Sequence, residues 1–189
     1  MEKVLGRGHA LTLNTVNNLD ILYADRGQLD EVEKMCRLAL KGMEKALGRD
    51  HTSTLHVVNN LGILYKRQGK LDKAEEMYLR VLEEREKALG HDHTSTLRTA
   101  NNLGFLYRKL GKLDKAEGMY RWVLEGREKA LGPNHTLTLR TANNLGFLYR
   151  KRGKLDETRG MYRPALEGYA KAPGYENGRC HLSVILLLV

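Results

Sequence analysis

The segment NNLGFLYRK occupies residues Asn101–Lys109 and returns letter for letter at Asn143–Lys151. An earlier copy, NNLGILYKR, starts at Asn59, and a more divergent one, NNLDILYAD, starts at Asn17. These four starting positions keep a constant spacing of 42 residues. A fixed period of this kind marks a repeat array, in which each unit buries its apolar face against its neighbours instead of around a single centre.

The unit is clearest over residues 93–134. Thr94, Ser95 or Thr96 offers a hydroxyl to the free N–H groups at the start of a first helix, which runs to Leu110. Ala100, Leu103 and Tyr107 fall on one face of it, and Gly104 leaves room for a second helix to approach. Gly111 is expected to take the left-handed turn that ends it. The second helix opens with Asp114 and Glu117, spaced as in a capping box. Its buried stripe reads Ala116, Tyr120, Val123 and Leu124, and Leu131 and Gly132 close the unit. The same pattern predicts helices over 10–26 and 30–47, 52–68 and 72–89, and 136–152 and 156–172.

The implied divisions are residues 1–8 as the remnant of a preceding repeat, repeats at 9–50, 51–92, 93–134 and 135–174, and an apolar tail at 175–189. Glu2, Lys3, Leu5 and Gly6 match Glu86, Lys87, Leu89 and Gly90, so the chain is expected to be a fragment or truncated product. Departures from the consensus carry expected costs. Asp20 and Val32 replace glycine and alanine in the first repeat, which should loosen it. In the fourth, Thr158 replaces alanine, Arg159 replaces glutamate, and Pro164 is expected to kink or fray the second helix at a cost of about 3 kcal/mol. The tail from His181 is expected to pack loosely.

The NLG triplet, Tyr65 or Tyr107, the Gly-Lys-Leu-Asp turn, Ala74 or Ala116, and Tyr78 or Tyr120 resemble the tetratricopeptide signature. The period exceeds the common one of about 34 residues. With ALG-x-x-H between units, it resembles the kinesin-light-chain type. Similar arrays occur in nephrocystin-like proteins and behind the nucleotide-binding domains of fungal and bacterial intracellular sensors. HEAT-like repeats share the period but not the Gly–Tyr–Ala pattern. The resemblance implies an all-α fold, a right-handed helix-hairpin solenoid (an α-α superhelix) of about four repeats.

It also implies a concave groove lined by the first helices. Arg98, Asn101, Asn102, Phe105 and Arg108 recur every three or four residues, on a face distinct from Leu103 and Tyr107. A side-chain amide both donates to and accepts from an extended peptide backbone, which suits asparagine to such a groove. The expected peptide-binding residues are Asn17, Asn59, Asn60, Arg98, Asn101, Asn102, Arg108, Arg140, Asn143, Asn144 and Arg150. The bland alternative is that one asparagine of each pair satisfies neighbouring backbone.

Charge supports an acidic ligand. Basic and acidic residues number six and seven over 9–50 and seven each over 51–92, but eight and four over both 93–134 and 135–176. Part of this excess, at Lys109, Lys151 and Arg152, reads equally well as solvated surface. Nucleic acid is the weaker candidate, because the sequence shows no basic-aromatic stacking pattern.

His9, His51, His93 and His135 share the repeat period. Equivalent loops of stacked hairpins lie about 10 Å or more apart, so these histidines do not share an ion and are read as loop or cap residues. Trp122 is read as packing. No nucleophile stands with a base and oxyanion donors, and no phosphate-binding loop follows a strand, so no catalytic residue, metal or cofactor is expected.

Cys36 and Cys180 read as free thiols of a reducing compartment. The start of the chain does not read as a secretory signal. The apolar run Leu182–Val189 falls well short of the roughly 20 residues that span a bilayer. A cytoplasmic protein-interaction module is the expectation, with a protein or acidic peptide as partner, no membrane, and self-association through the array ends as a further contact. The alternative is a sensor or self-association array detached from a larger nucleotide-binding signalling protein, or a structural spacer.

Overall fold

The computed structural model describes residues 26–171. Seven helices lie among them: α1 Arg26–Leu47, α2 Thr52–Arg67, α3 Leu71–Leu89, α4 Thr94–Lys109, α5 Leu113–Leu131, α6 Thr136–Lys151 and α7 Leu155–Lys171. No strand occurs among the described residues. Residues 10–25 of the helix expected over 10–26, with Asp20, lie outside them, and Arg26 already belongs to α1, which starts four residues before the expected 30. The helices fall in two compact units, α1–α3 in the first and α4–α7 in the second.

Each hairpin closes on a glycine. A Cβ added at Gly62 would lie 2.7 Å from the Tyr78 ring, one at Gly104 3.0 Å from Tyr120, and one at Gly146 2.7 Å from Tyr162. At Gly62 and Gly146 a side chain would force the ring to move, and at Gly104 the fit is nearly as tight. Ala74 and Ala116 are fully buried beside those rings, as are Ala100, Leu103 and Val123 of the expected stripes, whereas Leu124 is half-buried. The Tyr120 hydroxyl has no hydrogen-bond partner among the described residues. Burial raises it to about 12.

At the helix termini the histidines are caps, one of the two roles expected of them, and the hydroxyl residues are not. His51, His93 and His135 take the N-cap position, and each Nδ1 accepts from the backbone N–H two residues on, at Ser53, Ser95 and Leu137 (3.2, 3.2 and 3.1 Å). Thr94 is therefore the first helical residue and not the cap. The third-position threonines reach back instead: Thr54 Oγ1 donates to Gly48 O at 2.8 Å and Thr138 Oγ1 to Gly132 O at 2.9 Å. Gly111 does take the left-handed turn, with φ 73°.

Asp114 and Glu117 form no capping box. Lys112 is the N-cap of α5 and makes no side-chain cap bond, so Asp114 sits inside the first turn. Glu117 is used between repeats: it accepts from Tyr149 Oη at 3.3 Å, Arg121 Nε at 3.1 Å and Arg152 Nη1 at 2.5 Å, while Asp114 also pairs with Arg152. The first unit repeats this clamp at Glu33, which accepts from Tyr65 Oη at 3.4 Å and Lys70 Nζ at 2.7 Å, with Arg37 at 3.0 Å. Burial works to raise the Glu33 carboxyl. Hydrogen bonds from Lys70 and Gln68 outweigh it and hold the group below the ordinary carboxylate range.

In the last helix Thr158 is buried and donates to Lys154 O at 2.6 Å, so its hydroxyl is satisfied. The expected fraying at Pro164 does not occur. Helix α7 continues through Pro164 to Lys171; a proline removes only one backbone hydrogen bond of a helix. Cys36 is a free, buried thiol, pushed up to about 11 by burial.

Substitutions at four sites test this packing. Gly146→Ala should lower stability by about 1–3 kcal/mol, since overpacking against Tyr162 outweighs a propensity gain of about 1 kcal/mol, whereas Tyr120→Phe should be neutral or stabilising by about 1 kcal/mol; urea melts compare them. His93→Ala should cost about 1 kcal/mol in thermal unfolding and His93→Asn, which restores a cap, much less. Glu33→Gln should cost about 1 kcal/mol near neutral pH. The lowered Glu33 carboxyl contributes stability above its unfolded value and loses it as pH falls through its folded value, so melts taken down that range should converge with those of the variant.

Candidate peptide-binding site

Helix α4 carries Arg98, Asn101, Asn102, Phe105 and Arg108 on its least buried face, and α6 carries Arg140, Asn143, Asn144, Phe147 and Arg150 likewise. Arg98 and Arg140 are exposed and the other eight are half-buried. This division follows from the helical period, because spacings of three and four keep these residues opposite Leu103 and Tyr107, or Leu145 and Tyr149.

The arginines at the C-terminal ends of these helices are not simply solvated. The Arg108 guanidinium lies 4.7 Å from the centre of the Phe105 ring and 4.6 Å from that of Phe147. Arg150 stands 5.1 Å from Phe147, with Lys151 Nζ at 5.6 Å. A ladder of alternating phenylalanine and arginine therefore joins α4 to α6. The linear sequence hid this basic-aromatic pattern, because its rungs come from two repeats. Stacking engages the guanidinium faces and leaves the N–H edges as donors.

The asparagines are more buried than an exposed contact residue would be. In the first unit Asn59 is only 6% exposed, and its Oδ1 has no hydrogen-bond partner among the described residues. Asn101 Oδ1 is in the same condition. Asn60 is half-buried, and Asn17 lies outside the described residues.

One residue of the second unit escaped the sequence reading. Arg127 on α5 is 3% exposed and donates from Nη1 to Leu137 O at 3.0 Å and to Thr141 Oγ1 at 2.7 Å. No carboxylate pairs with it among the described residues. Burial, with the nearby charge of Arg140 adding to it, lowers its pKa to about 10. The available signal was its place four residues after Val123, in line with the buried stripe. Trp122 packs as expected, stacked on His91 with centroids 4.0 Å apart and planes at 14°.

Among the described residues, no group of three or more His, Cys, Asp or Glu is arranged to hold a metal, and no helix is long and apolar enough to cross a membrane. Against known families, a tetratricopeptide repeat model matches residues 11–83 and 57–129, and a second tetratricopeptide repeat model matches 138–176. The chain belongs to the tetratricopeptide repeat family. Repeats of this family are protein-interaction scaffolds and are typically non-enzymatic. A search of curated proteins finds no match.

Among solved structures, this tetratricopeptide chain is similar to BtubC (BKLC) from P. vanneervenii, at 25% identity and a TM-score of 0.82 over 96% of this chain and 72% of that one. It is also similar to the nearly identical TPR-like repeats of a candidate kinesin light chain from Podosopora anserina, at 22% identity and a TM-score of 0.76 over 100% and 85%. A second structure, of a variant form of the latter, matches at 22% and 0.76 over 97% and 82%.

The ladder has a measurable energy. Phe147→Leu should cost about 1–2 kcal/mol in urea melts, because Phe147 faces Arg108, Arg150 and Lys151.

Proposed function

We propose that the α4/α6 face captures an extended acidic peptide, as a protein-interaction module of kinesin-light-chain-like character acting in the cytoplasm. The observation that carries this reading is Arg127. A guanidinium this buried normally has a carboxylate partner, and here its partners are a carbonyl and a hydroxyl, with Arg140 adding repulsion. A ligand carboxylate placed between the two arginines would relieve both costs. Arg98, Arg108 and Arg150 extend the positive strip, and the half-buried amides of Asn102 and Asn144 lie along it.

The experiment is a titration of glutamate-rich peptides and their lysine counterparts. Arg98→Glu with Arg140→Glu should weaken acidic-peptide binding by about tenfold or more, with a steep salt dependence in the parent protein. Arg127→Met should keep the fold, since it exchanges a buried charge for an apolar chain of similar length, and should weaken the same peptides. Equal affinity in parent and variants would overturn the proposal.

A further inference from the structure

The other side of α6 carries a separate feature. In the second unit, α5 and α7 stand apart over α6 and leave a groove of about 380 Å³. Its floor is Leu145 and the Tyr149 ring, and Leu124 and Met161 form its walls. The first unit has the counterpart between α1 and α3 over α2, about 360 Å³, with Leu61 and Tyr65 as floor and Leu40 and Met77 as walls. Each pair of residues stands two repeat periods apart, so the repeat itself builds the apolar part of the groove.

The rims are not repeated. Around the first groove stand Arg37, Lys73 and Glu76. In the second, Glu157 takes the place of Lys73 and Gly160 that of Glu76, with Glu125 and Glu128 added from α5. Packing does not demand glycine there, because a Cβ at Gly160 would meet nothing within 4 Å. Its effect is to open the wall. Glu125 is held by Lys129 at 2.7 Å, and Arg121 on the same rim is engaged by Glu117 at 3.1 Å. Glu128 and Glu157 have no cation partner among the described residues.

We propose that this groove docks a basic peptide segment, seating one large apolar side chain on Leu145 and Tyr149 while flanking lysines or arginines pair with Glu128 and Glu157. The volume suits one aromatic or branched aliphatic side chain, near the lower end of ligand-sized clefts. Charge selects the occupant: an acidic segment meets unpaired carboxylates there, whereas a basic one supplies the cations they lack. The module then engages partners of opposite charge on opposite sides of α6.

The test is calorimetric titration at low salt with three short peptides: lysines around one phenylalanine, the same with serine for phenylalanine, and the same with glutamates for lysines. Only the first should bind this groove; the glutamate peptide, which the α4/α6 face would take, should not displace it. Gly160→Leu, which fills the groove, and Glu128→Lys with Glu157→Lys should each weaken it by about tenfold at unchanged melting temperature. The first-unit control Glu76→Lys should leave it unchanged. The proposal is overturned if the glutamate peptide displaces the lysine peptide, if Gly160→Leu leaves the affinity for the lysine peptide intact in a folded protein, or if only Glu76→Lys has an effect. It is equally overturned if sedimentation shows a self-association that Gly160→Leu abolishes and the lysine peptide does not displace.

Discussion

The seat of a tyrosine ring on a bare glycine, at Gly62, Gly104 and Gly146, is the constraint from which the other contacts follow. It fixes how closely the two helices of a hairpin approach, and so which residues of the second helix meet the next first helix. In the second unit this brings Arg127 to the first turn of α6 and Glu117 to the Tyr149 hydroxyl. The ring is there for its shape. At Tyr78 and Tyr120 the hydroxyl has no hydrogen bond among the described residues, so its desolvation is a cost that packing offsets.

Much of the fold was legible because one face of each helix must be apolar at the helical period. Leu103, Tyr107 and Val123 could be placed in the core, and six helices bounded closely, without any long-range information. The errors concern side chains with two local uses. Glu117 has the spacing of a capping residue, yet its carboxylate serves a tyrosine in the next repeat. Thr94 has the chemistry of a cap, yet the histidine before it has the extended backbone that a cap requires. A one-dimensional reading resolves neither choice, because the deciding partner is set by packing.

The candidate faces divide in the same way. The positions of Arg98 and Arg140 could be read from the sequence, but the engagement of Arg108 with two phenylalanines could not, since Phe147 belongs to the following repeat. Arg127 was hidden by the usual expectation that an arginine is solvated. Its burial makes charge on this face a matter of desolvation as well as of number, and a count of basic residues gives no measure of that.

The tyrosine–glutamate clamp has an implication for how the chain changes. Glu33 with Tyr65, and Glu117 with Tyr149, are the same junction written twice, in each case joining the second helix of one repeat to the first helix of the next. Junctions of one design are interchangeable parts. Duplication or loss of a whole unit leaves every remaining junction with its proper mate, whereas an insertion of any other length unseats one.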